Sequence, residues 1–183
     1  IMGGSLGALS MNLAVKNLLE YYSGRDDLPY QILWQCGARY LNENEVWLKE
    51  FKRKNGAFSK QIKCVGFIDR MDLAYASSDI IASRAGAMSI SELAIIAKPT
   101  LLIPSPHVTE DHQTKNALSL VERGAAVLID DVEVVKKLRE EIESLLQNDT
   151  LCSSMSAALK SAAKPDACMK IVDEIESLLK LNS

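Results

Sequence analysis

Ser83-Arg84-Ala85-Gly86-Ala87-Met88-Ser89-Ile90-Ser91-Glu92 stands between an apolar strand-like run, Asp79-Ile80-Ile81-Ala82, and a helix-like run, Leu93-Ala94-Ile95-Ile96-Ala97. A small, glycine-containing turn at a strand-to-helix junction lets a ligand approach the backbone. The helix that follows offers unpaired N–H groups and the positive end of a dipole, both suited to an anion. Glu92 falls one turn into that helix, in reach of sugar hydroxyls. A second turn of the same kind opens the chain, Gly3-Gly4-Ser5-Leu6-Gly7. Two such turns in one domain point to a nucleotide diphosphate as ligand.

Outward from these turns, short apolar runs alternate with longer periodic ones. Strands are expected at 30–36, 62–67, 79–82, 100–103 and 125–129. Helices are expected at 8–22, 40–54, 71–77, 89–97 and 112–123, then at 132–146, 150–161 and 166–181. Asp111 is placed as an N-cap, Gly124 as a helix stop, and Lys164-Pro165 as a break between the last two helices. This alternation predicts an α/β fold: a Rossmann-like, three-layer α/β/α arrangement around a parallel sheet. Both glycine turns and the loop after Pro104 fall at strand C-terminal ends, so they are expected to converge on one crevice.

The chain has 183 residues, 48% hydrophobic and 25% charged, with a net charge of −3. That is one ordinary globular domain, 1–183, closed by a helix at 166–181. The charge balance and few aromatics argue against nucleic acid as a partner. No apolar run is long enough to cross a bilayer. Cys36, Cys64, Cys152 and Cys168 form no C-x-x-C pair, which predicts reduced structural thiols. With His107 and His112 the only histidines, no metal site is expected. Ile1-Met2 read as the tail of a strand, so the chain is expected to be part of a longer protein.

Gly3-Gly4-Ser5-Leu6-Gly7-Ala8, Gly66-Phe67-Ile68-Asp69-Arg70-Met71, the Arg84–Glu92 stretch, Pro104-Ser105-Pro106-His107 and Glu110-Asp111-His112-Gln113-Thr114-Lys115-Asn116-Ala117 together resemble, in order and spacing, the C-terminal half of the MurG family of glycosyltransferases. Ala85 and Leu6 depart from it, where serine and glutamine are frequent. The resemblance implies the C-terminal half of a GT-B glycosyltransferase, the half that binds UDP-N-acetylglucosamine. It implies an inverting transfer of N-acetylglucosamine to undecaprenyl-diphospho-muramoyl-pentapeptide in peptidoglycan synthesis. The acceptor site and the general base are then expected in a missing N-terminal domain. The full-length protein is expected in the cytoplasm, peripheral on the inner face of the bacterial membrane. No cofactor is expected in this domain beyond the donor substrate itself. Two other readings stay open: a non-catalytic donor-binding subunit of a split transferase, and a GT-B transferase with another acceptor.

The same resemblance assigns roles, each beside a plainer alternative. Gly4 and Ser5 hold the diphosphate, with Ser5 offering a hydroxyl at a helix start; alternatively the glycines serve tight packing. Phe67 and Ile68 frame the uracil, or Phe67 is a core residue. Gly86, Ala87, Met88, Ser89, Ile90 and Ser91 offer backbone groups to the phosphates. Glu92 accepts both ribose hydroxyls in bidentate fashion, or closes an S-x-x-E capping box with Ser89. Gln113 and His112 bind hydroxyls of the amino sugar, or form the polar first turn of a surface helix. Arg84 contacts phosphate or braces its loop. His107 is a loop residue. The charge-rich stretch Glu133–Glu143 is expected to be a solvated helix face.

Overall fold

The computed structural model describes residues 1–25, 28–56, 60–106 and 111–181. Among these residues, five short strands carry the sheet: β1 (Ile32–Gln35), β2 (Ile62–Val65), β3 (Ile81–Ser83), β4 (Thr100–Leu102) and β5 (Val127–Leu128). β1 pairs with β2, and β3, β4 and β5 pair in that order, every pairing parallel. Met2 joins the two groups by bridging Gln35 and Ser83. Its N–H donates to the Ala82 carbonyl at 2.8 Å, and the Gln35 N–H donates to the Ile1 carbonyl at 3.0 Å. The order is therefore β2-β1-(Ile1–Met2)-β3-β4-β5. Chain order runs outward in both directions from Met2. A crevice opens at such a reversal point, beyond the strand C-terminal ends.

Among the described residues, eight α-helices surround the sheet: α1 (Leu9–Tyr21), α2 (Leu41–Lys54), α3 (Met71–Ala76), α4 (Ala87–Ile96), α5 (His112–Val121), α6 (Val134–Leu146), α7 (Asp149–Ala162) and α8 (Ala167–Leu181). Right-handed crossovers place α1 and α2 on one face of the sheet and α4 and α5 on the other. α6 then packs along α1, and α7 along α4. Strands covered on both faces read as continuous apolar runs. Leu101, Leu102 and Ile103 are accordingly all fully buried.

One buried polar pair ties α1 to the sheet. Trp34 Nε1 donates to Asn12 Oδ1 at 2.9 Å, and Asn12 Nδ2 donates to the Cys36 carbonyl at 3.0 Å. With both ends of its amide used, a buried Asn meets the rule that interior polar groups are paired. The four cysteines are free thiols.

The structure corrects several boundaries. β5 is only Val127–Leu128, since the Ala125 N–H donates to the Leu120 carbonyl at 2.9 Å and so belongs to the turn that closes α5. α4 begins at Ala87 rather than Ser89. Asp111 occupies the N-cap position of α5 in a left-handed conformation and makes no side-chain cap bond. Its Oδ1 instead accepts from Thr114 Oγ1 at 2.6 Å. The stretch 133–143 is not wholly solvated. Arg139 lies over the Tyr21 ring at 3.9 Å and bonds Glu143, which accepts from Tyr22 Oη. These contacts fasten α6 to α1.

α8 leaves Ile171, Val172, Ile175, Leu178 and Leu179 exposed at helical spacing. Among the described residues no helix is long and apolar enough to cross a membrane.

Candidate functional site

The first glycine turn follows the Met2 bridge. Gly4 and Gly7 have φ of +79° and +73°, a region that glycine enters without the penalty other residues meet. The Gly7 N–H donates to the Gly4 carbonyl at 3.0 Å, and Ser5 and Leu6 are exposed at the tip. α1 starts only at Leu9. The Ser5 hydroxyl is therefore carried by the turn and not by the helix start expected for it. The two readings of the glycines divide between residues. Gly4 has open space where a Cβ would stand, whereas Gly7 lies against the Cys36 carbonyl and Gly37. Gly4 shapes the turn; Gly7 permits close packing.

The second turn follows β3. Gly86 is extended and serves as N-cap, and the Ile90 N–H donates to its carbonyl at 2.9 Å. The N–H groups of Ala87, Met88 and Ser89 thus belong to the first turn, where no intrahelical partner exists. Met88 is 79% exposed. Ser89 lies inside the helix, so no capping box forms with Glu92. Ser91 turns its Oγ back to the Ala87 carbonyl at 3.1 Å. Glu92 is exposed. Its Oε2 accepts from Tyr75 Oη at 2.8 Å, so its two oxygens are not equally open, as the bidentate reading assumed.

Phe67 and Ile68 follow β2 at the same edge. Phe67 is 56% exposed, which rules out the core reading. Across the sheet, Gln113 Oε1 accepts from the Ser105 N–H at 2.9 Å. That bond pins the loop after β4 to the start of α5, a role beyond the sugar contact expected. His112 is exposed on the same turn. His107 and Glu110 lie outside the described residues.

Arg84 braces this edge. Its Nη1 donates to the Ile103 carbonyl (3.1 Å), the Pro104 carbonyl (3.1 Å) and Asp131 Oδ1 (2.6 Å), and its Nη2 donates to Ser10 Oγ (3.0 Å). One guanidinium thereby holds α1, the β3 loop, the end of β4 and the loop before α6. The fork geometry suits several acceptors at once. Asn116 Nδ2 adds a bond to the Ala85 carbonyl at 3.1 Å. The Arg84 and Asp131 side chains are only 12% and 17% exposed. Removing one partner of such a pair strands the other. Arg84→Met is expected to destabilise the chain by about 2–3 kcal/mol, read as a fall in melting temperature of roughly 5–10 °C. The exposed Arg70–Asp72 pair is the control; Arg70→Met is expected to change stability by about 0.5 kcal/mol or less.

The loops after Met2, β3 and β4 are thus locked together at one rim. Phe67 and Ile68 follow β2 on that rim, and α3, the next element, is joined to α4 through Tyr75 and Glu92. Local patterns did not reveal Ser10, Tyr75, Asn116 or Asp131, because their partners lie far away in the chain. A cavity of about 1090 Å³ lies elsewhere. It runs beneath α3 along β1 and β2, lined by Leu33, Val65, Leu73, Ile80, Lys60 and Lys63, and touches the rim only near Phe67 and Ile68. It holds neither glycine turn. The rim instead unites exposed amides, a helix start and a carboxylate, the set that a nucleotide diphosphate requires.

Known proteins agree with this architecture. The glycosyltransferase family 28 C-terminal domain matches residues 1–171. The chain is 43% identical over 98% of its length to a UDP-N-acetylglucosamine–N-acetylmuramyl-(pentapeptide) pyrophosphoryl-undecaprenol N-acetylglucosamine transferase of Porphyromonas gingivalis. It is 40% identical over 98% of its length to the protein of the same description from Flavobacterium psychrophilum. It spans 45% and 46% of those relatives' own lengths. The crystal structure of Acinetobacter baumannii MurG superposes with a TM-score of 0.79 at 28% identity, over 97% of this chain and 48% of that one. Parallel strands ordered about Met2, glycine turns at their C-terminal ends and the match through residue 171 agree: this chain belongs to the glycosyltransferase family 28 C-terminal domain family, the C-terminal half of a GT-B fold.

Proposed function

We propose that this chain binds UDP-N-acetylglucosamine along the rim and forms the donor half of an N-acetylglucosaminyltransferase of peptidoglycan synthesis. Residues 1–183 act as one donor-binding domain. A second domain, outside this sequence, takes the lipid-linked muramyl-pentapeptide acceptor and supplies the general base. The full protein works as a peripheral enzyme on the inner face of the membrane. The supporting observation is that Arg84 ties the segments after Met2, β3 and β4 together beside the switch point of the sheet, in a chain whose relatives are described as that transferase.

The site residues then divide the ligand among them. Phe67 and the Ile68 backbone take the uracil. Glu92 takes the ribose. Gly4, Ser5 and the amides from Gly86 through Ser89 take the diphosphate; the Ile90 and Ser91 N–H groups, expected to join them, are used inside α4. Gln113, with His112 beside it, takes the amino sugar. In an inverting transfer the acceptor hydroxyl attacks the anomeric carbon while the bond to UDP breaks, and negative charge gathers on the departing diphosphate. Amides already aimed at that position stabilise the charge without reorganising, and each such donor is typically worth on the order of 10²-fold in rate. The positive end of α4 adds to this.

Calorimetry of the chain with UDP-N-acetylglucosamine, UDP and NAD tests the reading. Heat with both uridine nucleotides and none with NAD is expected, together with no transfer to acceptor by the chain alone. Equal binding of NAD, or no uridine nucleotide binding at millimolar ligand, contradicts it.

A further inference from the structure

Tyr75 was not among the residues that the sequence motifs marked. It sits in α3 with its ring buried, 5% exposed. Its hydroxyl reaches out of the core to donate to Glu92 Oε2 at 2.8 Å. Burial, then the bond to Glu92 and its negative charge, push the Tyr75 pKa up from 10.0. The phenol therefore stays protonated at neutral pH and acts as the donor. The carboxylate stands on an exposed turn of α4, where a glutamate side chain otherwise samples many rotamers. Ordering such a side chain costs conformational entropy. A fixed donor anchored in the core meets part of that cost before any ligand arrives, and preorganisation of this kind strengthens binding. It also determines which oxygen is left to a ligand, namely Oε1 and the second lone pair of Oε2.

We infer that Tyr75 is a positioning residue that holds the Glu92 carboxylate toward the ribose, so that the site distinguishes ribonucleotides from 2′-deoxyribonucleotides. The inference rests on the proposed ribose contact of Glu92. A pinned carboxylate offers an acceptor at a set place, and a sugar lacking the 2′-hydroxyl leaves that acceptor unpaired. A swinging carboxylate turns to water instead and discriminates less. Phenylalanine at position 75 keeps the buried ring and removes only the donor.

Calorimetric affinities for UDP and 2′-deoxy-UDP, measured on the chain and on Tyr75→Phe, Glu92→Ala and the double variant, test this. The unaltered chain is expected to prefer UDP by about tenfold, the worth of a hydrogen bond to a charged group. Glu92→Ala is expected to abolish the preference. Tyr75→Phe is expected to weaken UDP about three- to tenfold while changing 2′-deoxy-UDP less than about twofold. The double variant is expected to match Glu92→Ala, because the two residues act through one contact. If Tyr75→Phe weakens both nucleotides equally, Tyr75 is merely structural and the inference is overturned. If it leaves the ratio unchanged while Glu92→Ala collapses it, the inference is again overturned and the ribose role of Glu92 survives. If Glu92→Ala itself leaves the ratio unchanged, the ribose role fails and the inference fails with it.

Discussion

Gly7→Ala is expected to destabilise the chain by about 3–5 kcal/mol and to lower its melting temperature by about 10 °C or more. A Cβ built at Gly7 would stand 2.1 Å from the Cys36 carbonyl oxygen and 2.8 Å from Gly37 Cα. Both are backbone atoms, so no side chain can swing aside. The φ of +73° adds the left-handed penalty of about 1–2 kcal/mol. Gly37 presses from the other side, since its own Cβ would lie 2.5 Å from Gly7 Cα. This contact seats the first glycine turn on the end of β1, and the same substitution is expected to remove UDP binding in calorimetry. Gly4→Ala isolates the conformational term. Its φ is +79° with nothing near the added atom, so a loss of about 1–2 kcal/mol is expected. Equal losses at both positions, measured by chemical denaturation, would show that the close packing contributes nothing.

Glu92→Ala is expected to weaken UDP binding by about 10- to 100-fold while leaving stability within about 1 kcal/mol. The carboxylate is exposed, and the proposed ribose bonds are charge-assisted, each typically worth about 1.5–3 kcal/mol. Stability changes little because the position is on the surface and alanine suits a helix. The Tyr75 hydroxyl, at the edge of the core, loses its acceptor, which sets the small stability cost. Glu92→Gln keeps the shape and a neutral acceptor, so an intermediate loss is expected. Isothermal titration with UDP, alongside thermal melting, separates the two effects. Unchanged affinity in Glu92→Ala would remove the ribose role.

Much of the fold was legible in the chain because its signals are local. Alternating apolar runs, glycine turns at strand ends and the Lys164-Pro165 break each act over a few residues. Ile1-Met2 read as the tail of a strand, and Met2 bridges Gln35 and Ser83 as an inner strand must. The failures have physical causes too. Ser89-Ile90-Ser91-Glu92 carries a helix-start pattern, yet the start is set by extended Gly86 and the Ile90-to-Gly86 bond, which composition does not reveal. Asp111 has the chemistry of a cap but not the backbone conformation for one, since a cap residue needs extended φ and ψ. Arg84 left two roles open because its partners are remote. Ser10, Ile103, Pro104 and Asp131 meet it only once the sheet has assembled. The charge run in α6 looked uniform, but Arg139 and Glu143 face α1 while Lys136 and Glu140 face water. Which side a charge takes depends on the neighbouring helix, not on the run.

The most direct test of the rim as the nucleotide site is a titration of the isotopically labelled chain with UDP, followed through backbone amide shifts. The rim predicts that the largest shifts cluster at Gly4, Ser5, Ile68, Ala87, Met88, Ser89 and Glu92, with Lys60, Lys63 and Ile80 unmoved. Shifts concentrated instead along the cavity beneath α3, at Lys63, Leu73 and Ile80, with the glycine turns unmoved, would contradict it.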